Sequence, residues 1–406
     1  AFTGKLSTFE DYDAYDNGMV TEEAAMDEAD MAEAPAMASG NKAVSGFAGA
    51  LFSLYLLSAA AETGLRAHYY TSSTIFDSAP SVYFYVFVGG ALIFAVLKGE
   101  EAVVRTAVAY GIECVGIRRG WQGLITSDFV RLGSESVGHT LSRGGTILYT
   151  ARSEEFLTEK GRKKAVATCK MLGLDGIVAI GGDGTFRGAL ELSRLGIPVV
   201  GIPATIDNDI GCTNYTIGFD TACNTAIECI DKLRDTMQSH ERCSVVEVMG
   251  RNAGFLALYV GIAVGATAVL VPEHELNFQR DVVERIQNAR LAGNTHFMIV
   301  VAEGAGSAVE IGKMIHESVG IEPRVTVLGH IQRGGAPNAR DRETATRMGY
   351  YAVNAFAEGR SNCIIATQEG GIVEIPIEEA LAMKKHLQMD RYRIMEAMLI
   401  GNVSKK

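Results

Sequence analysis

The chain has 406 residues, 48 acidic against 37 basic, a formal net charge of −11, and 45 glycines. That length suffices for two domains or lobes with real cores, and the acidic balance argues against nucleic-acid binding through overall charge, leaving only local basic pockets open. Seven cysteines run from Cys114 to Cys363 with no CxxC or Cys/His metal spacing, which points to structural thiols in a reducing compartment and away from a disulfide framework.

Residues 1–41 are polar and acidic ("FEDYDAYDNG", "TEEAAMDEADMAEAPAM") and read as a disordered or marginally helical tail. The segment 42–98 is hydrophobic and holds two charge-free runs, 43–61 and 78–97, each about long enough to cross a bilayer as a helix. Joined by the loop around Glu62, Arg66 and Asp77, they form a candidate transmembrane hairpin, which would attach a cytoplasmic body to the membrane through residues 43–97. The second run has a competing reading, because "VYFYVFVGG" also fits a central parallel strand followed by a glycine turn.

From residue 99 onward the pattern is regular α/β. "EEAVVRTAVAYG" is helical with Gly111 as its stop, and "IECVGIRRG" reads as strand and turn. "EKGRKKAVATCKMLGLDG" is an amphipathic helix, "IVAIGG" a strand, "DGTFRGALELSRLG" a helix and "IPVVGIPA" a further strand. Strand, helix and strand with short connections imply right-handed βαβ units in a parallel sheet, whose ligands bind outside the carboxyl ends of the strands.

Two motifs fall at such ends. "GGDGTFRGA", 181–189, lets backbone N–H groups approach an anion at a helix start, and Asp183 is placed to hold Mg²⁺ between carboxylate and phosphate. "ATIDND", 204–209, sets Asp207 and Asp209 two residues apart, where they repel unless a cation or a proton in transit lies between them. Farther on, "MGRNAGFLAL" puts Arg251 at a glycine-flanked turn, and "EPRVTVLGHIQRGG" offers Arg324, His330 and Arg333. Arginines and a histidine beside glycines or strand ends suit anion recognition.

GGDGT, PATIDND, TIGFDTA, VEVMGR and LGHIQRGG, in that order, resemble the bacterial ATP-dependent 6-phosphofructokinases over about residues 101–399. The resemblance implies a two-lobed α/β fold with parallel-sheet βαβ units, forming a body over 99–406 of two interleaved lobes behind the candidate hairpin. It implies glycolytic phosphoryl transfer from ATP to the 1-hydroxyl of fructose 6-phosphate, with Mg²⁺. On it, Asp207 matches the general base, with Asp209 and Thr205 positioning substrate and metal, and Arg251 bridges the transferring phosphoryl group. Asp183 matches the metal-coordinating residue. Arg242, Met249, Glu303, Arg324, His330 and Arg333 match the sugar-phosphate pocket, and Arg152, Gly184, Thr185 and Gly188 the nucleotide side. In the family the residues matching Arg242 and Arg324 come from a neighbouring subunit, which implies a homotetramer or dimer of dimers. Pyrophosphate-using relatives carry aspartate and lysine where this chain has Gly184 and Ala204, so ATP is the implied donor.

The resemblance departs in two places. "VFVGGALIFAVLKGEEAVVR" stands where the family has a GGDxPG phosphate loop. In the effector pocket Arg105 and Arg234 are kept, but Glu101, Ser134, Ala292 and Asn294 replace basic residues and Thr267 an acidic one, so no diphosphate or phosphoenolpyruvate effector is expected. The lost loop leaves two alternatives beside the kinase: a catalytically impaired, membrane-tethered scaffold or sensor, and a fusion of unrelated parts.

Overall fold

A computed structural model describes residues 83–89, 96–140 and 142–398. The chain divides into two units, Ala1–Asp77 and Ser78–Lys406, and the described residues all lie in the second. The acidic tail at 1–41 and the first hydrophobic run at 43–61 fall outside the described residues.

The strands are β1 (Tyr83–Gly89), β2 (Glu113–Ile117), β3 (Phe129–Leu132), β4 (Gly176–Gly181), β5 (Val199–Pro203), β6 (Cys243–Val248), β7 (Ala268–Leu270), β8 (Phe297–Ala302), β9 (Arg324–Val327), β10 (Cys363–Gln368) and β11 (Gly371–Pro376). They form a seven-stranded sheet in the order β11-β10-β5-β4-β1-β2-β3 and a four-stranded sheet in the order β7-β8-β6-β9. The chain builds five strands of the larger sheet, crosses to make all four of the smaller, and returns for the last two. The smaller sheet is parallel throughout, while the larger carries antiparallel pairs only at its edges, β2–β3 and β10–β11. β4, β5 and β8 are buried at every residue, which is why they read as unbroken apolar runs without alternation.

The same physics corrects the expectation of a membrane hairpin. Within the run 78–97, residues Tyr83–Gly89 are a strand paired in parallel with both β2 and β4. Val86 stands opposite Val178 on one side and Gly116 on the other, and Gly89 opposite Gly181. A strand flanked on both sides in a parallel sheet and a membrane helix share a charge-free composition. The run reaches twenty residues because it also takes in the start of the next helix, Val96–Ala109. Among the described residues no helix is long and apolar enough to cross a membrane.

β1 also sets the position of the site. From it the chain moves to β2 on one side and later to β4 and β5 on the other, so the β1/β4 boundary is a topological switch point, where ligands of open α/β sheets bind. The carboxyl ends of β1, β4 and β5 lie side by side, with Gly89 beside Gly181 and Gly181 beside Pro203.

Helix Val96–Ala109 buries two adjacent carboxylates. Glu101 accepts from Thr140 Oγ1 at 3.2 Å and pairs with Arg105 at 2.8 Å. Glu100 accepts from the Thr146 hydroxyl and, at 3.2 Å, from the Ile147 amide. Burial outweighs these bonds and pushes the Glu100 carboxyl from its ordinary 4.5 up to about 7. The folded chain therefore holds this proton more tightly than the unfolded one. The stability it contributes is complete below pH 4.5 and is lost as pH rises through 7. Glu100→Gln should flatten that dependence and stabilise the protein at pH 8 by on the order of 2–3 kcal/mol. Urea titrations at pH 5 and pH 8 check this, and a variant keeping the wild-type pH dependence would refute it.

Candidate active site

β4 runs into Gly181–Gly182, and helix Asp183–Arg194 begins at once, with Gly182 in extended backbone at its N-cap. The first amides of a helix have no acceptor within it, and its dipole favours an anion there. Asp183 lies in this first turn, partly exposed, 2.7 Å from the Arg187 guanidinium. Thr185 is buried. A Cβ on Gly184 would meet no protein atom within 4 Å, so nothing in the fold itself demands glycine there. Gly188 differs: a Cβ on it would lie 2.4 Å from Trp121 Nε1, and that indole stacks on Phe156 at 4.8 Å between centroids. The missing side chain at Gly188 thus serves packing.

The paired-aspartate turn abuts this one. The Ala204 amide donates to the Gly181 carbonyl at 2.9 Å, and a Cβ on Gly182 would lie 3.9 Å from Thr205 Cβ. Thr205 Oγ1 accepts from the Asp207 amide at 3.2 Å, and the Thr205 carbonyl accepts from Thr216 Oγ1 at 2.6 Å. Asn208, between the aspartates, adopts a left-handed conformation with φ 51°. Its Oδ1 accepts from Thr216 Oγ1 at 3.3 Å and from Lys385 Nζ at 2.7 Å.

Asp207 is buried, at 6% exposure, and its carboxyl is pushed up to about 6. Burial is the largest cause; Asp209 and Glu303 add to it, while Arg251 and Arg333 oppose it. The Asp209 carboxyl is raised chiefly by burial and also by Asp183, with Arg251 and Lys385 opposing. Five separate segments thus converge on one charged cluster: 183, 207–209, 251, 303 and 333, with Lys385 as a sixth contribution.

The smaller sheet supplies the other wall. Val248 and Ala302 end β6 and β8 in register, so Met249–Arg251 and Glu303 emerge side by side. Glu303 accepts from the Gly250 amide at 3.1 Å and the Arg251 amide at 2.6 Å. Those bonds hold a turn in which Gly250 has φ 144° and Arg251 φ 56°, and they aim the Arg251 side chain. Beyond β9, the turn Gly329–Arg333 carries His330, exposed, and Arg333, half-buried. Gln332, fully buried, accepts from the Met249 amide at 2.8 Å and so ties this turn to Met249. Among the described residues the buried Arg333 Nε has no hydrogen-bond partner. A Cβ on Gly144 would lie 2.2 Å from the Gly335 carbonyl oxygen, which seats the segment leading to the exposed Arg152 against the same loop.

Two predicted residues are not brought in. Arg324 opens β9 opposite Ser244, and Arg242 immediately precedes β6. Both lie at the amino ends of their strands, β6 running on to Met249 and β9 to the Gly329–Arg333 turn. Six strand residues at about 3.3 Å each put Arg242 roughly 20 Å from the Met249 turn, and the four residues of β9 put Arg324 roughly 13 Å from the end of its own strand.

Of the retained effector-pocket bases, Arg105 is held by Glu101, and Arg234 donates to the Val264 carbonyl. Thr267 Oγ1 accepts from the Met298 amide at 3.1 Å.

Among the described residues no group of three or more His, Cys, Asp or Glu side chains could hold a metal by itself. The donors available are the Asp183 carboxylate and, within its field, Asp209. A pair of hard oxygen donors that leaves most positions to water and phosphate suits Mg²⁺, which dehydrates reluctantly.

Two glycine and aspartate turns at a switch point, faced by arginines from a second parallel sheet, make a site suited to phosphate groups. The phosphofructokinase family pattern matches residues 98–356. An ATP-dependent 6-phosphofructokinase of Clostridium botulinum (strain Hall) is 50% identical over 294 residues, covering 72% of this chain and 92% of that protein. The solved phosphofructokinase of Saccharomyces cerevisiae superposes with a TM-score of 0.69 at 30% identity, over 78% of this chain and 46% of that one. That of Pichia pastoris gives 0.71 at 32% identity, over 80% and 37%. The chain spans less than half of each of these two solved chains. It belongs to the phosphofructokinase family.

Proposed function

We propose that the protein transfers the γ-phosphoryl group of ATP to the 1-hydroxyl of fructose 6-phosphate, giving fructose 1,6-bisphosphate. The observation that carries this reading is the buried Asp207 carboxylate, set between Asp209, Arg251, Glu303 and Arg333 and directly beside the Gly181–Asp183 turn. A base held up to about 6 is ionised at neutral pH yet close enough in affinity to accept a proton efficiently.

In this mechanism Asp207 takes the proton of the 1-hydroxyl as that oxygen attacks the γ-phosphorus, the bond from the γ-phosphorus to the β–γ bridging oxygen breaks, and ADP leaves. Thr205 fixes the Asp207 backbone through its amide, and Asp209 lies on the metal side. Arg251, aimed by Glu303, neutralises the charge that spreads over the transferring phosphoryl oxygens. His330, Arg333 and the main chain at Met249 hold the 6-phosphate, for which the unmet Arg333 Nε is a ready donor. The amides of Gly182, Asp183 and Gly184 receive the donor phosphates, and Arg152 is assigned to the same nucleotide on the family resemblance. Mg²⁺ held by Asp183 would offset phosphate charge when bound.

β1 supports the enzyme over a non-catalytic scaffold, because it fills the position beside β4 and brings Gly89 level with Gly181. The engaged Arg105 and Arg234 support the absence of a basic effector pocket. Membrane contact through 78–97 drops out of the reading with the strand, and a reducing, cytoplasmic setting is kept from the cysteine pattern. Arg242 and Arg324, at the amino ends of β6 and β9 and so away from the cluster, serve the site of a neighbouring copy, which makes the working form a homo-oligomer.

Arg333→Ala should raise the Michaelis constant for fructose 6-phosphate by about 10²-fold, the scale of a lost charge-assisted contact, with little change in that for ATP. Initial-rate kinetics with each substrate varied in turn test this, and equal effects on the two constants would contradict the assignment.

A further inference from the structure

Lys385 lies between helices Ile377–Ala382 and Met389–Met398, and in sequence "MKKHL" has the look of a solvated charge pair. Its side chain is instead drawn inward. Nζ donates to Asn208 Oδ1 at 2.7 Å and to the Asn214 carbonyl at 3.3 Å, and it lies 5.3 Å from the centroid of the Phe255 ring. The backbone route is fixed as well: a Cβ on Gly211 would fall 2.2 Å from the Met383 carbonyl oxygen, so the 383–385 segment rests directly on the turn after Asp209. Asn208 is the left-handed residue between the two aspartates, and apart from Lys385 its Oδ1 has only the longer Thr216 bond. Burial draws the Lys385 ammonium down to about 8, with Asp209 and Cys212 resisting, so it remains charged at neutral pH. A cation on this turn also offsets the repulsion between Asp207 and Asp209.

We propose that Lys385 is a positioning residue for the phosphoryl transfer: its ammonium clamps Asn208 and thereby holds Asp207 and Asp209 in their working orientation. The proposal rests on the reaction assigned above. A carboxylate displaced by about 1 Å from its reacting partner can cost on the order of 10²-fold in rate.

The test compares the full chain with Lys385→Met and Lys385→Arg. Lys385→Met should lower kcat for fructose 1,6-bisphosphate formation by about 10²-fold, leave the Michaelis constant for fructose 6-phosphate within a few-fold and keep a wild-type melting point. Lys385→Arg, which can still donate to Asn208, should restore kcat to within about tenfold of wild type. A Met variant with wild-type kcat, or a loss of rate that Arg does not rescue, overturns the clamp. A crystal structure of Lys385→Met separates this from failure of the assigned reaction. If the wild type makes no bisphosphate, the reaction is wrong, and the clamp is still decided: an Asn208 turn that shifts out of its left-handed conformation supports it, and an unchanged turn overturns it.

Discussion

Asp207→Asn should lower turnover by about 10²–10⁴-fold while leaving binding of fructose 6-phosphate nearly intact. The amide keeps the shape of the side chain and cannot accept the proton. On the proposed assignment the 6-phosphate is held by His330, Arg333 and Met249, which follow strands of the other sheet, so the binding term should hardly move. The pH dependence carries the same assignment. Burial first, then Asp209 and Glu303, hold the Asp207 carboxyl up to about 6 against the opposing pull of Arg251 and Arg333. Below that value the base is protonated, so wild-type kcat should fall as pH drops through about 6. The residual rate of Asp207→Asn should lack that acid limb. Steady-state kinetics between pH 5 and 8 measure both, and a variant with a near-normal rate removes Asp207 from the role of base.

Asp341→Ala should produce the largest loss of stability, about 4 kcal/mol, or roughly 10 °C in melting temperature. Asp341 is fully buried at the start of helix Ala339–Ala357. Its Oδ1 accepts from the Tyr215 hydroxyl and, at 2.7 Å, from the Gly218 amide; its Oδ2 accepts from the Thr221 hydroxyl and, at 2.9 Å, from the Thr221 amide. One carboxylate therefore caps the 22-residue helix Phe219–His240 and joins it to the loop that follows Arg333. Alanine leaves those donors buried and unmet, each at a cost of about 1–3 kcal/mol before relaxation. Asp341→Asn keeps one acceptor and should lose less. Thermal melts of both variants decide it, and an Ala variant within about 1 kcal/mol of wild type would contradict the account.

The two cases mark where sequence reading succeeds and where it stops. Gly181–Asp183 and Thr205–Asp209 were legible as site elements, because each follows an apolar run that must be a buried strand and ligands gather at such ends. β1 was left between two readings because a strand central to a parallel sheet and a bilayer helix share one signature, absence of charge, and the run did not show where strand gave way to helix. The hold of Glu303 on the Arg251 turn depends on β6 and β8 ending in register, which no local pattern encodes. Gly188 fits a phosphate-turn motif, yet the contact that demands glycine there comes from Trp121, distant in sequence. Asp341 sits among arginines in "NARDR" and drew no notice, because its partners lie some 120 residues earlier. Lys385 was missed for the same reason, with 177 residues between donor and acceptor.

The altered sequence after β1 makes one measurement the most direct test of the central claim. Purified full-length chain is supplied with fructose 6-phosphate, MgATP and the enzymes that couple fructose 1,6-bisphosphate to NADH oxidation. The account predicts bisphosphate formation that requires both substrates and falls by about 10²-fold or more in Asp207→Asn. Wild-type protein that binds fructose 6-phosphate yet forms no bisphosphate, or forms it equally well with Asn at 207, would contradict it.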